Sequence, residues 1–281
     1  VFGVFFNQNQ AAIFASKEVR EALNMAVDKD KIVNDVLLGF GTKIDGPIPP
    51  SPLHEKIGSI IATSSISFSA TTTKKEAANA ILEKAGWKIN PDTKIREKKT
   101  KKDTQILSFS LATLNTPELK KTAEILREEW KEIGADVEVK IYESGDLNQE
   151  VIRPRKYDAL LFGEIVGRDP DLYAFWYSSQ RNDPGLNIAL YTNTKVDKIL
   201  EQIRETSENG KRNDLYRQFE VEIANDKPAV FLYSPDFIYI IPQKIQNLSI
   251  GEITVPSERF LNIQKWYIDT DKVWKIFAKE K

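Results

Sequence analysis

Residues 159–162 (ALLF) are apolar without alternation, a pattern that predicts a strand covered on both faces, as in the interior of a parallel sheet. The chain then breaks into Gly, charge and Asp169-Pro170 before turning amphipathic towards Trp176. In an open α/β sheet the carboxyl ends of the strands face the crevice where ligands sit, so residues 164–169 are the first place to look for function. Residues 1–6 (VFGVFF) already read as strand interior and run straight into Asn7, as in a fragment or a mature form with something removed. Ser16 caps a helix with Val19, Leu23, Ala26 and Val27 at helical spacing, and a second short helix runs from Asp28 through Ile32, Val33, Val36 and Leu37 to Gly39.

Residues 39–54 are rich in Gly and Pro, which suit neither a helix interior nor a central strand, so an extended surface loop is expected. The Ser/Thr/Ile-rich residues 59–73 read as a loop with one short strand. From Lys74 the pattern is helical again, with Ala77, Ala78, Ile81, Leu82 and Ala85 apolar and Gly86 as the stop. A polar hairpin around Asn90-Pro91-Asp92 should occupy residues 87–104. The clearest architecture follows: a strand at 106–113, a Thr116-Pro117 cap, and a helix with Leu119, Ala123, Leu126, Trp130 and Ile133 on one stripe that stops at Gly134. Val137, Val139 and Ile141 then alternate with charge as in a half-exposed strand, and a short helix near 147–152 leads back to residue 157. Strand, helix, strand, short helix, strand predicts crossover units and an α/β sheet with helices on its faces. Beyond it, Thr194 with Asp197 forms a capping-box variant ahead of Val196, Ile199, Leu200 and Ile203. Leu215, Phe219 and Ile223 mark the next helix, residues 228–241 read as strand broken at Pro235, and residues 264–281 as a tryptophan-bearing turn and a short amphipathic helix.

Composition narrows the classes. The 281 residues suffice for one large or two modest domains, and a 41% hydrophobic, 29% charged composition is that of an ordinary globular protein. With 40 basic and 41 acidic residues, a net charge of −1 leaves no electrostatic footprint for nucleic acid. The basic run at 94–102 has the composition of a polyanion patch, but Glu97 and Asp103 interrupt it and no aromatic interleaves, so a solvated hairpin is expected over a binding patch. The absence of cysteine excludes disulfides, thiolate catalysis and sulfur-ligated zinc, and suits an extracytoplasmic or a cytosolic protein alike. No apolar stretch reaches membrane-spanning length.

Catalytic patterns are scarce. His54, the single histidine, has no local His or Cys partner and reads as solvated, so the familiar triads cannot be assembled. There is no G-x-S-x-G elbow and no phosphate-binding loop, and Gly39-Phe40-Gly41 runs into Pro47 where a dinucleotide fold would start a helix. Glu164 and Asp169 bracket the crevice loop and have the residue types for acid and base; equally, Asp169-Pro170 caps the following helix and Glu164 pairs with Arg168. Tyr173, Phe175, Trp176 and Tyr177 are too dense for all to face inward from one short helix, so one or two should line the crevice or a partner surface.

Seven motifs then occur in a fixed order: R-x-A-L-x-x-A-x-D-K at 20–29, G-x-G-T…G-P-I-P-P at 39–50, I-L-E-K-A-G-W at 81–87, D-P-D-x-x-x-F-W at 169–176, Y-T-N-x-x-V-D-K-I-L at 191–200, R-x-D-L-Y-R-Q-F-E…D-K-P-A-V-F-L-Y at 212–233, and R-F-L-N-I-Q-K-W-Y at 259–267. In this order the chain resembles extracellular solute-binding family 5, the oligopeptide, dipeptide and nickel receptors of ABC importers. The resemblance implies a periplasmic-binding-protein-like class II lobe, the C-terminal one of two, with a mixed, mostly parallel sheet and helices on both faces. Residues 1–258 would form that lobe, with 1–7 as the first crossing strand, and 259–281 the return segment packing on an N-terminal lobe that supplies half of the cleft. It further implies a monomeric extracytoplasmic receptor, held by a lipid anchor or free in the periplasm. Such a receptor takes a peptide or other small solute, needs no cofactor or resident metal, catalyses no reaction, and delivers its solute to a permease. The ligand-binding residues implied are Asn7, Glu164, Ile165, Val166, Arg168, Asp169, Tyr173 and Trp176. Where peptide-binding members carry an aspartate three residues before the Asp-Pro pair, this chain has Val166, so a metal chelate or sugar stays open as the solute. An α/β hydrolase using Glu164 and Asp169, or a stand-alone interaction domain, are the rival classes.

Overall fold

The computed structural model describes residues 1–57, 72–101, 103–167, 170–251, 253 and 255–268. They fall into two compact units, Val1–Pro235 and Asp236–Lys281.

The first unit is built on a six-stranded sheet of order β2-β9-β1-β8-β6-β7. Its strands are β1 (Phe2–Phe6), β2 (Gly41–Lys43), β6 (Ser108–Leu114), β7 (Asp136–Tyr142), β8 (Ala159–Gly163) and β9 (Ala229–Pro235). The helices α1 (Lys17–Ala26), α2 (Lys29–Leu37), α3 (Pro52–Ile57), α4 (Lys74–Lys84) and α5 (Pro117–Lys131) precede β7; α6 (Ser144–Asp146) runs into a π-helical turn, Leu147–Ile152. After β8 come α7 (Tyr173–Trp176), α8 (Thr194–Glu205) and α9 (Asn209–Asp226). Strands β3 (Lys88–Ile89), β4 (Arg96–Lys99) and β5 (Thr104–Ile106) make a separate three-stranded sheet.

Local chemistry starts the helices at Ser16 and Thr116 as the sequence predicts, and at Thr73 supplies a cap that was not expected. The hydroxyls of Ser16 and Thr116 accept the Val19 and Leu119 N–H groups, Thr73 and Glu76 form a capping box, and Gly86 and Gly134 take positive φ just past α4 and α5. The pleat then sorts the sheet into two cores. Ala159 and Leu161 pack with Phe109, Leu111 and Trp130 beneath α1, α4 and α5, whereas Leu160 packs with Phe5, Trp176 and Phe219 beneath α8 and α9.

The sheet is mixed, with helices on both faces, but parallel pairing is confined to β7-β6-β8; β8 pairs antiparallel with β1, β1 with β9, and β9 with β2. An unbroken apolar run reports burial on both faces, which helices here impose on parallel and antiparallel strands alike. Residues 39–54 also depart from the expected loop: Gly41–Lys43 is an edge strand on β9, and His54 lies in the short helix α3. Pro-rich flanks permit this because an edge strand tolerates missing donors on its open side. Asn193, and not Thr194, caps α8, accepting the Lys195 and Val196 N–H groups, while Asp197 accepts the Ser178 N–H at 2.8 Å. The strand expected at 106–113 is two strands, β5 and β6, separated at Leu107, and the strand expected through Ile241 stops at Pro235. The expected loop at 59–73 lies, up to residue 71, outside the described residues, as does the terminal helix expected in 264–281 beyond residue 268.

In the second unit β10 (Ile245–Gln246) pairs antiparallel with β11 (Tyr267–Ile268). The Arg259 guanidinium sits 4.2 Å from the centre of the Phe260 ring and 5.1 Å from that of Tyr239. Ile238, Ile240, Leu261 and Ile263 are exposed.

Candidate functional site

The register of β8 fixes what its carboxyl end presents. Beyond the last paired residues, Phe2 and Gly163, the ladder continues by one step: Val1 N donates to Glu164 O at 2.9 Å and Glu164 N to Val1 O at 2.8 Å. Extended backbone alternates its side chains, so Glu164 (5% exposed) and Val166 (8%) turn into the core beneath α7–α9, and Ile165 (75%) projects outward. Gly167 has nothing within 4 Å of where a Cβ would stand.

Several strand ends share this edge of the sheet. Because Phe2 pairs with both Gly163 and Tyr233, the start of β1 and the exit of β9 at Pro235 flank the end of β8. The carboxyl ends of β6 and β7, at Leu114 and Tyr142, lie on its other side, tied by an Asn115 Nδ2 to Glu143 hydrogen bond of 2.6 Å. Exposed Phe40, just before the Gly41–Pro235 pair, extends the edge past β9. The geometry depends on Gly163: a Cβ there would stand 2.8 Å from the Phe2 ring, which stacks on Tyr233 with centroids 5.1 Å apart. Gly163→Ala is therefore expected to cost about 1–3 kcal/mol by overpacking; a denaturation midpoint unchanged from the parent would show that the Phe2 ring moves aside freely.

Glu164 is the chemically unusual member. Among the described residues neither of its carboxylate oxygens has a hydrogen-bond partner. Burial pushes its pKa up to about 8, so it is largely a neutral acid at pH 7. Tyr157, on the same core face, donates its hydroxyl to Ile188 O at 2.6 Å. No group of three or more His, Cys, Asp and Glu among the described residues is arranged to hold a metal.

The residues named from the sequence are not all brought together. Ile165 stands on the wall, with Glu164 and Val166 directly behind it. Asn7 lies at the opposite end of the sheet, since Phe6 pairs with Ala159. There Asn7 organises a turn: Oδ1 accepts the Asn9 and Gln10 N–H groups at 3.1 Å, and Nδ2 donates to Arg155 O at 2.9 Å. Trp176 is fully buried, with Phe231, Tyr191, Phe219 and Phe5 ring centres 5.8–6.3 Å away. Tyr173 belongs to an outer ladder: its ring lies 3.7 Å below the Arg204 guanidinium and 4.0 Å from the Tyr177 ring, and Arg204 Nε donates to Asp171 at 3.0 Å. Arg168 and Asp169, and with them the Glu164–Arg168 pair and the Asp169 cap, lie outside the described residues. The Asp171–Arg204 clamp was not legible, because its partners are 33 residues apart and the D-P-D motif that holds Asp171 says nothing of Arg204.

Comparison with known proteins decides the class. Residues 1–186 match the profile of the bacterial extracellular solute-binding proteins, family 5 Middle. The chain belongs to this family. The oligopeptide-binding protein AppA of Bacillus subtilis (strain 168) is 30% identical over 258 residues, covering 91% of this chain and 45% of the relative. The structure of Bacillus subtilis AppA in complex with a nonapeptide superposes with a TM-score of 0.74 at 27% identity, covering 96% of this chain and 50% of that one. NikZ from Campylobacter jejuni in complex with Ni(L-His) superposes with a TM-score of 0.72 at 26% identity, covering 94% and 51%. The chain thus spans about half the length of the relatives it matches. These family 5 homologues are binding proteins and extracytoplasmic. Among the described residues no helix is long and apolar enough to cross a membrane.

Proposed function

We propose that this chain is the C-terminal ligand-binding lobe of the solute-binding protein of an ABC importer. In this reading a peptide or similar small solute is enclosed between two lobes outside the cytoplasm and passed to a permease, with a lipid anchor or free diffusion keeping the monomer near it. The observation that carries the reading is the shared edge: Ile165 projects beside the start of β1 and the exit of β9, so a wall stands next to the strands that would cross to a second lobe. Residues 1–7 and 259–267 are the proposed crossing segments. The exposed apolar residues of the second unit, Ile240 at 89% foremost, supply a surface such a lobe would cover. A relative bound to a nonapeptide and another bound to Ni(L-His) support both peptide and chelate as solute classes.

The hydrolase alternative lacks support in the site. Glu164, its proposed acid, is buried, its carboxylate accepts no hydrogen bond from a described residue, and the charged group acting on it is the Val1 α-amino group, with no described side-chain base beside it.

The receptor reading is tested by joining the chain to an N-terminal lobe and following thermal unfolding against oligopeptides of graded length and against nickel-histidine chelate. A true solute at about a hundredfold excess over its Kd should add about 2.7 kcal/mol, whereas the 281-residue chain alone should gain far less, with half of the enclosing surface absent. No stabilisation of the two-lobed form by any member of either class would reject the assignment.

A further inference from the structure

The three-stranded sheet β3-β4-β5 is used by none of the foregoing. It lies at the amino end of β6, into which β5 leads through Leu107, and so at the far end of that strand from the wall. Residues 84–103 hold eight basic and three acidic residues, in a chain whose net charge is −1.

Arg96 makes this sheet a fixed platform. Its buried guanidinium donates to Ile133 O at 2.9 Å, Trp87 O at 2.7 Å and Asn79 Oδ1 at 2.7 Å, pinning β4 to the ends of α4 and α5. Register then fixes the outer face. Cross-strand partners share a side, so Lys88, Glu97 and Ile106 stand together with Lys99 and Thr104, opposite the face of Arg96. Exposed Lys94 and Lys101 lie on the turns at either end. None of Lys84, Lys88, Lys94, Lys99 and Lys101 forms an ion pair with a described residue; of the three acids in this stretch, Glu97 accepts Asn90 Nδ2 at 3.1 Å, Asp103 accepts Thr104 N at 2.7 Å, and Asp92 stands on the turn that also carries Lys94. Ile106, 53% exposed, adds an apolar side chain among the lysines.

We propose that this face docks on a bilayer surface rich in anionic phospholipid. Lysines near such a surface are each worth about 1 kcal/mol, and several held on one rigid face add together. The half-exposed isoleucine suits the headgroup–acyl boundary. A nucleic-acid partner fits less well, since Trp87, the aromatic residue within 84–103, is fully buried and cannot stack on bases. Docking there leaves the Ile165 wall uncovered, and the inference stands apart from the identity of the solute.

The test is co-sedimentation of the 281-residue chain with phosphatidylcholine vesicles, with and without phosphatidylglycerol. Binding is expected only to vesicles with phosphatidylglycerol, and should weaken severalfold as salt rises from about 0.05 to about 0.5 M. The quadruple variant Lys88→Gln, Lys94→Gln, Lys99→Gln, Lys101→Gln should lose about tenfold or more of its partition coefficient. A control of equal net charge, Lys31→Gln, Lys156→Gln, Lys198→Gln, Lys211→Gln, should keep the parental value; circular dichroism melting verifies that both fold, and the salt series on the parent needs no variant. Failure to pellet with phosphatidylglycerol vesicles at low salt, equal loss in both quadruple variants, or equal binding to pure phosphatidylcholine would each overturn the proposal. Retention of inorganic polyphosphate without vesicle binding would assign the face to a soluble polyanion, and overturns it as well.

Discussion

Trp176→Ala is expected to lower folding stability by about 3–5 kcal/mol, the range for deleting a large buried aromatic. The indole is fully buried and central to the core beneath α8 and α9, with Phe231 5.8 Å, Tyr191 6.2 Å, Phe219 6.3 Å and Phe5 6.3 Å away between ring centres. Those rings come from β1, β9, α9 and the segment before α8, so one truncation opens a cavity that four elements border. Against a typical total of about 5–15 kcal/mol, such a loss brings the unit close to unfolding. Urea unfolding of the parent, Trp176→Ala and Trp176→Phe measures it, with phenylalanine recovering part of the loss. A cost below about 1 kcal/mol for alanine would show that the indole is not the hub of this core. The same experiment separates packing from recognition: a side chain that lined the cleft would, when truncated, weaken solute binding in the two-lobed protein while leaving stability nearly intact.

Stability is also expected to fall as pH rises from about 5 to about 8. Burial raises Glu164 from 4.5 to about 8, opposed by the nearby Val1 α-amino charge, and Glu220 from 4.5 to about 7, opposed by the Ile48 N–H it accepts. The folded state therefore holds protons that the unfolded state has already released above about pH 4.5. The contribution of each acid is complete below its unfolded pKa and is lost as pH climbs through its folded one. One such proton corresponds to a slope of about 1.4 kcal/mol per pH unit, so the loss across the window for Glu164 is of the order of a few kcal/mol. Glu164→Gln keeps size and polarity but cannot ionise; it should flatten the profile between pH 5 and 8 by about one proton, and adding Glu220→Gln should flatten its lower half further. Denaturation midpoints taken at half-unit intervals of pH provide the measurement. Parent and Glu164→Gln profiles that run parallel would mean that Glu164 is charged and solvated in the folded protein.

Glu164 also shows where sequence reasoning stops. Alternation along 164–166 was available from the pattern, but which side faced water was not. Glu164, Ile165 and Val166 were all implied to bind ligand, and the structure places Ile165 outside and Glu164 and Val166 within. The choice is made by the antiparallel ladder to β1, which extends the pleat past Gly163 and carries the inner face of β8 onward to Val166. Asn7 shows the same limit. It follows a strand that does run beside β8, yet antiparallel pairing sends it to the opposite end, where its side chain closes a turn.

What the sequence determined by itself was whatever depends on neighbours in the chain. Helix starts at Ser16, Asp28, Lys74 and Thr116, stops at Gly86 and Gly134, the strand–helix–strand order around α5, and the family were all legible, because caps, glycine conformation, hydrophobic period and motif order act within a few residues. Only tertiary structure decided strand direction, which residue of an alternating pair meets solvent, and the burial of Trp176 and Arg96. Those depend on groups far apart in sequence, such as Phe2 with Gly163 and Tyr233, or Arg96 with Ile133, whose juxtaposition no local pattern encodes.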